Sequence, residues 1–194
     1  MGNKLKIAVC LIGISFMDTG KRRNWELCYK NILNTFKNVD YYLTTYGSDK
    51  QLLKVYAPKK YQFLDFKTST QRKTYIKALQ QVEDPDFIIT TRFDIHFHKK
   101  LSEMNLDYDK FNFLFKEKNT WDQYNFVTDN FFAFPAKYKQ NFINAIKALD
   151  KSGLEKPFMH HIFTPLSKTV DYNFISPDKQ EFSDKNSFYT LIRS

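Results

Sequence analysis

The chain predicts an α/β fold with a mostly parallel central sheet, and three observations carry that expectation. Through the first half, apolar runs of strand length alternate with segments whose apolar residues recur every three to four positions. Two of those runs, 6–16 and 86–91, are nearly continuous in Ile, Val, Leu and Thr, as strands covered on both faces are. The second half changes texture: two Phe-rich runs flank one polar stretch, which suits antiparallel or mixed pairing better than another strand-helix-strand unit. At 194 residues the chain fits one domain, split into halves at 1–98 and 99–194.

The first strand, 6–16, is interrupted near its carboxyl end by Gly13 and Ser15. Ligands of open α/β sheets bind outside that end, so Gly13 either lets a nucleotide approach the backbone or is a packing glycine. A basic loop follows at 17–23 without a Walker or dinucleotide fingerprint; Arg22 is its nucleotide candidate, a solvated arginine being the alternative. Trp25, Cys28, Ile32 and Phe36 mark an amphipathic helix over 24–37. A second strand at 39–46 closes at Gly47-Ser48, a short helix at 49–56 precedes Ala57-Pro58, and 61–66 reads as an edge strand.

Ser69 or Thr70 caps the next helix, whose buried stripe is Tyr75, Leu79 and Val82. Cations in its first turn oppose the helix dipole and gain from a bound anion, so Arg72 is a phosphate candidate as well as a plain surface residue. The fourth strand, 86–91, leaves the core at Arg92, because charged Arg92 and Asp94 cannot stay inside without partners. On one extended segment Asp94 and His96 project to the same face and together suit a divalent ion, with Arg92 placed to meet a phosphate oxygen and His98 following on that face.

Strands at 111–115 and 130–134 bracket a loop, 116–124, too polar to be core. A helix from Pro135-Ala136 to Leu149 buries Phe142, Ile146 and Leu149 and stops at Gly153. Adjacent His160 and His161 diverge by about 100° if helical, so at most one faces a site. A last strand is expected at 170–175, and the polar tail 183–189 reads as a lid.

Arg92-Phe93-Asp94-Ile95-His96 after an Ile/Thr-rich strand, with Thr128-Asp129-Asn130-Phe131-Phe132 further on, resembles GT-A glycosyltransferases. Their metal-binding segment is usually Asp-x-Asp, with Asp-x-His as a variant, and within that family the chain resembles the small viral or bacterial polysaccharide-type members. The resemblance implies a GT-A-like domain whose first half binds a nucleotide-diphosphate sugar and whose second half binds a glycan or other hydroxyl acceptor. It implies a Mn2+ or Mg2+ cofactor on Asp94 and His96, with His160 or His161 available to complete the shell. Nucleotide-sugar contacts fall to Gly13, Arg22, Arg72, Arg92 and Asp94. Trp121, Asp122 and Tyr124 become acceptor-side candidates, and Asp129 is either the base for the acceptor hydroxyl or an acceptor-binding carboxylate.

Composition bounds these readings. Lys and Arg exceed Asp and Glu by 30 − 21 = 9, which favours anionic partners or reflects a basic solvated surface. With 20 Phe and 12 Tyr most rings must be core, although such rings also stack on sugars and bases. Cys10 and Cys28 lack metal or disulfide spacing and read as buried hydrophobes. The apolar run near the N-terminus is too short to span a membrane and lacks a cleavage pattern, so a cytoplasmic protein is expected. A nucleotidyltransferase acting on sugar phosphates shares the frame, the ion and the phosphates, but Gly13-Ile14-Ser15-Phe16 is a poor phosphate loop. A basic nucleic-acid-binding module is the non-enzymatic alternative, without a compact recognition motif; no nucleic-acid partner is expected.

Overall fold

The computed structural model describes residues 5–15, 24–47, 49–150, 158–181 and 186–192. Arg22 and the rest of the basic loop 17–23, Gly153 and 183–185 lie outside the described residues.

Strands β1 (Ile7–Gly13), β2 (Asp40–Tyr46), β3 (Lys60–Leu64) and β4 (Phe87–Arg92) run parallel in the order β3-β2-β1-β4. The sheet then changes sense. β7 (Phe131–Pro135) is antiparallel to β4 and to β6 (Phe111–Phe113), and β8 (Tyr172–Phe174) runs parallel to β6 at the far edge. Seven strands thus form one mostly parallel sheet, with an antiparallel turn of direction in its second half.

The period-two alternation of the strands divides the apolar residues between two cores. Ala8, Cys10, Ile12 and Ile88 face helices α3 (Gln71–Gln81) and α5 (Lys139–Asp150), against Tyr75, Leu79, Phe142 and Ile146. Val9, Leu11, Leu43 and Ile89 face α1 (Asn24–Thr35) and α2 (Gln51–Tyr56), against Trp25, Cys28, Ile32 and Leu52. Both cysteines are buried free thiols whose pKa burial pushes up to about 12, consistent with a packing role. Thr70, rather than Ser69, caps α3: its hydroxyl accepts the Lys73 amide at 3.3 Å. Two further short helices, α4 (Trp121–Tyr124) and α6 (Phe163–Leu166), flank the second half.

Three expectations change. The run 86–98 is not one strand: it bends at Phe93-Asp94, and β5 (Ile95–Phe97) resumes as a separate element paired antiparallel to β9 (Tyr189–Leu191). The polar tail therefore does not end in a free lid, because Tyr189 and Leu191 are buried with Ile95 and Phe97 in the second core. The stretch 116–124 also contributes a buried carboxylate. Glu117 accepts the Asn119 amide at 2.9 Å and the Thr120 hydroxyl at 2.5 Å, so its polarity is satisfied locally. Among the described residues no helix is long and apolar enough to cross a membrane.

Phe111 is fully buried in the first core, stacked on Phe134 at 4.7 Å and edge-on to Phe142 at 5.1 Å. Replacing it by Ala leaves a cavity with rigid walls, and Phe111→Ala is expected to cost about 3–5 kcal/mol. Urea unfolding checks this: the midpoint should fall while the slope stays unchanged.

Candidate active site

The carboxyl ends of β1, β2 and β4 and the first turns of α3 surround a cleft of about 330 Å³. Ile12, Gly13, Tyr46, Phe66, Ser69, Gln71, Thr74, Tyr75 and Arg92 are among its lining residues. Gly13 takes φ 90°, which side-chain-bearing residues rarely adopt, and a Cβ there would meet nothing within 4 Å. The glycine is needed for its backbone angle, and it leaves the cleft open beside the strand end. The Thr45 hydroxyl donates to the Gly13 carbonyl at 2.8 Å and holds that turn. Tyr46, bonded to the Thr74 hydroxyl at 2.7 Å, meets the exposed ring of Phe66 edge-on at 5.1 Å, giving the cleft an aromatic wall.

Arg92 stands at the last position of β4 and turns its fork onto Asp94. Its Nε donates to Oδ1 at 2.7 Å and its Nη2 to Oδ2 at 2.5 Å. The Asp94 side chain is 3% exposed and that of Arg92 22%, so the pair is largely withdrawn from water while the guanidinium keeps an edge on the cleft. Burial opposes the charge on Arg92, but the bonds from Asp94 and the fields of Asp94 and Asp129 outweigh it and raise its pKa.

Asp129, just ahead of β7, is buried, and three side chains converge on it. The Gln71 amide donates to its Oδ2, the Tyr75 hydroxyl donates to its backbone carbonyl, and His160 Nε2 lies 3.8 Å from its Oδ1. Gln71 lines the cleft as well, so Asp129 lies directly behind one cleft wall. Burial, with the field of Asp129 adding to it, raises the Tyr75 pKa well above the usual phenol range and keeps it a proton donor. Next to Asp129, Asn130 Nδ2 donates to the Tyr189 hydroxyl at 2.8 Å, and the Thr128 hydroxyl lies 3.1 Å from the same oxygen. The C-terminal strand thus steadies the segment that carries Asp129.

The sequence candidates divide. Gly13 and Arg92 line the cleft, and Asp129 is joined to it through Gln71. Arg72, one position round the helix from Gln71, pairs with Asp150 at 2.5 Å. Trp121 packs edge-on against Phe163 at 4.9 Å and Phe174 at 5.4 Å, and exposed Asp122 pairs with Lys179 at 2.6 Å; neither lines the cleft. Exposed Tyr124 tilts against Phe126 at 5.3 Å. His160 and His161 diverge, His161 meeting Phe126 edge-on at 4.3 Å while His160 faces Asp129. Gln71 and Tyr75 were not singled out for a site. Their i, i+4 spacing at the start of a helix was the available signal, since it puts both on one face.

The bend at Phe93-Asp94 also separates Asp94 from His96. Asp94 is buried with both oxygens on Arg92, whereas His96 is exposed beside His98, ring centroids 6.5 Å apart. Among the described residues no three His, Cys, Asp or Glu side chains are grouped to hold an ion. As these side chains stand, Asp94 and His96 do not fit the shared ligand role for Mn2+ or Mg2+, which needs free carboxylate oxygens.

No family model matches the chain, and no curated protein matches it in sequence. Solved structures do share its fold. A 4-diphosphocytidyl-2C-methyl-D-erythritol synthase from Anaerococcus prevotii superposes with TM-score 0.59 at 11% identity, over 88% of this chain and 86% of that one. The apo-form glycosyltransferase GlyE of Streptococcus pneumoniae gives 0.58 at 10%, over 88% of this chain but 45% of its own. An active-site mutant of LgtC gives 0.57 at 11%, over 86% of this chain and 72% of its own. At these identities the likeness establishes a GT-A-like α/β fold.

Removing one partner of a buried ion pair leaves the other charge uncompensated, so Asp94→Ala is expected to destabilise the protein by about 3–5 kcal/mol. The double variant Arg92→Leu/Asp94→Leu should regain most of that loss. Thermal melts of the three proteins decide it; a single variant as stable as the parent would show the pair to be energetically idle.

Proposed function

We propose that the chain transfers a sugar, hexosyl or pentosyl, from a nucleotide-diphosphate sugar to a hydroxyl acceptor. The observation that carries the reading is the placement of a fixed guanidinium, Arg92, on the cleft at the sheet's carboxyl end, with a buried carboxylate, Asp129, joined to the same cleft through Gln71. Ligands of open α/β sheets sit at this end of the strands. The glycosyltransferases among the fold neighbours and the basic charge of the chain support the assignment.

In this reading the nucleotide lies between Gly13 and the Tyr46/Phe66 wall, and Arg92 directs its outer edge at the diphosphate. The charge that develops on the departing nucleotide falls beside that guanidinium. Asp129 engages the acceptor hydroxyl. A divalent ion would supply Lewis-acid help to the leaving group, as the resemblance implies. No step here runs through one, because Asp94 is already committed to Arg92.

A nucleotidyltransferase acting on a sugar phosphate is the second reading. It is favoured by one observation, that the diphosphocytidyl-methylerythritol synthase is matched over most of both chains. The products separate the two: sugar transfer releases a nucleoside diphosphate, and nucleotidyl transfer releases pyrophosphate.

Uridine and guanosine diphosphate sugars, with and without Mn2+, form the decisive screen by melting temperature. A ligand at a hundred times its Kd stabilises by about 2.7 kcal/mol, well within reach of a thermal shift. Asp129→Asn should retain the shift and lower turnover by roughly 10²–10⁴-fold. No shift with any of these donors would remove the transferase reading.

A further inference from the structure

His160 sits on the turn 159–162, in a different part of the chain from the cleft-lining helix α3, yet its ring is oriented at both nitrogens. Nδ1 lies 3.0 Å from the Val127 carbonyl. A carbonyl only accepts, so Nδ1 carries the hydrogen, and in the neutral ring Nε2 presents its lone pair. Nε2 is the atom that faces Asp129 Oδ1 at 3.8 Å. That separation exceeds a direct hydrogen bond, so the carboxylate faces Nε2 without being bonded to it. Asp129 is in turn held by Gln71 through its other oxygen and by Tyr75 through its backbone, so the gap between the two side chains is defined by fixed groups.

Resting on the transferase reading, we propose that His160 is the base that takes the acceptor's proton, and that Asp129 holds a neighbouring hydroxyl of the acceptor and stabilises the imidazolium that results. The acceptor O–H bond breaks and its proton passes to Nε2. The oxygen pair forms the bond to the anomeric carbon, and the bond from that carbon to the diphosphate breaks, its electron pair leaving with the nucleotide. An imidazole holds such a proton near neutral pH far better than a carboxylate does, and the adjacent Asp129 then offsets the new positive charge. This role for His160 is distinct from completing a metal shell.

Hydrolysis of UDP-glucose, UDP-galactose and GDP-mannose, with water as the acceptor, tests this through nucleoside diphosphate release. His160→Ala should lower kcat by about 10²–10⁴-fold, leave the donor KM unchanged, and regain part of its rate with added imidazole. His160→Asn should show the same loss while its amide keeps the bond to the Val127 carbonyl, with an unchanged melting temperature as the check on folding. Wild-type turnover in either variant, or a loss that imidazole does not relieve, overturns the assignment. Rescue of Asp129→Gly by formate, with His160→Ala fully active, would move the base to Asp129 and leave the transferase reading intact. A wild-type protein that neither binds nor hydrolyses any of these donors removes both readings.

Discussion

The buried pair between Arg92 and Asp94 is the constraint on which the rest of the structure depends. At the end of β4 the chain must leave the sheet and enter the small β5–β9 pair, and it does so with a carboxylate on the inside of the bend. Such a group is tolerated only when its lone pairs are taken, and the guanidinium two residues earlier takes both oxygens. The Asp94 backbone carbonyl accepts the Ile192 amide at 2.8 Å, so the same residue also anchors the C-terminal strand. Through Tyr189 that strand reaches Thr128 and Asn130. The bend, the C-terminal strand and the segment carrying Asp129 are therefore one connected structure, although their residues lie far apart in the chain.

The second half of the site is assembled from three places. Gln71 and Tyr75 come from the first turns of α3, Asp129 from the approach to β7, and His160 from the turn before α6. Asp129 receives neutral donors from α3 and faces an imidazole across a gap, while Arg92 is already committed to Asp94. The result is a carboxylate held in place, among the described residues, without a direct bond to a Lys or Arg. That arrangement leaves it able to accept a hydrogen bond from a hydroxyl, as the proposed acceptor role requires.

Most of the architecture was legible in the residues because it follows from periodicity. The five buried residues in β1, the i, i+4 stripe of α3 and the Phe-rich β6 and β7 each declare their element and the faces they bury. The site was legible in part. Gly13 and Arg92 stand where a strand end predicts them, but reading 86–98 as one extended segment put Asp94 and His96 on a common face. A bend of two residues ends that alternation, since the period of two holds only while the strand is unbroken. The burial of Tyr189 and Leu191 was not foreseen for a similar reason: they are few and lie in polar surroundings, and their burial depends on β5 being there to pair with them.

Composition and spacing alone determined the α/β class, the two-sided burial of the central strands and the end of the sheet at which the cleft opens, because each is a local consequence of side-chain period and strand direction. Tertiary structure decided which polar groups meet: that Arg92 is spent on Asp94, that Arg72 turns to Asp150 while Gln71 turns to Asp129, and that His160 faces the carboxylate. Such pairings join residues up to 78 positions apart, as for Arg72 and Asp150. They depend on helix rotation and loop closure over those distances, which no short stretch of sequence encodes.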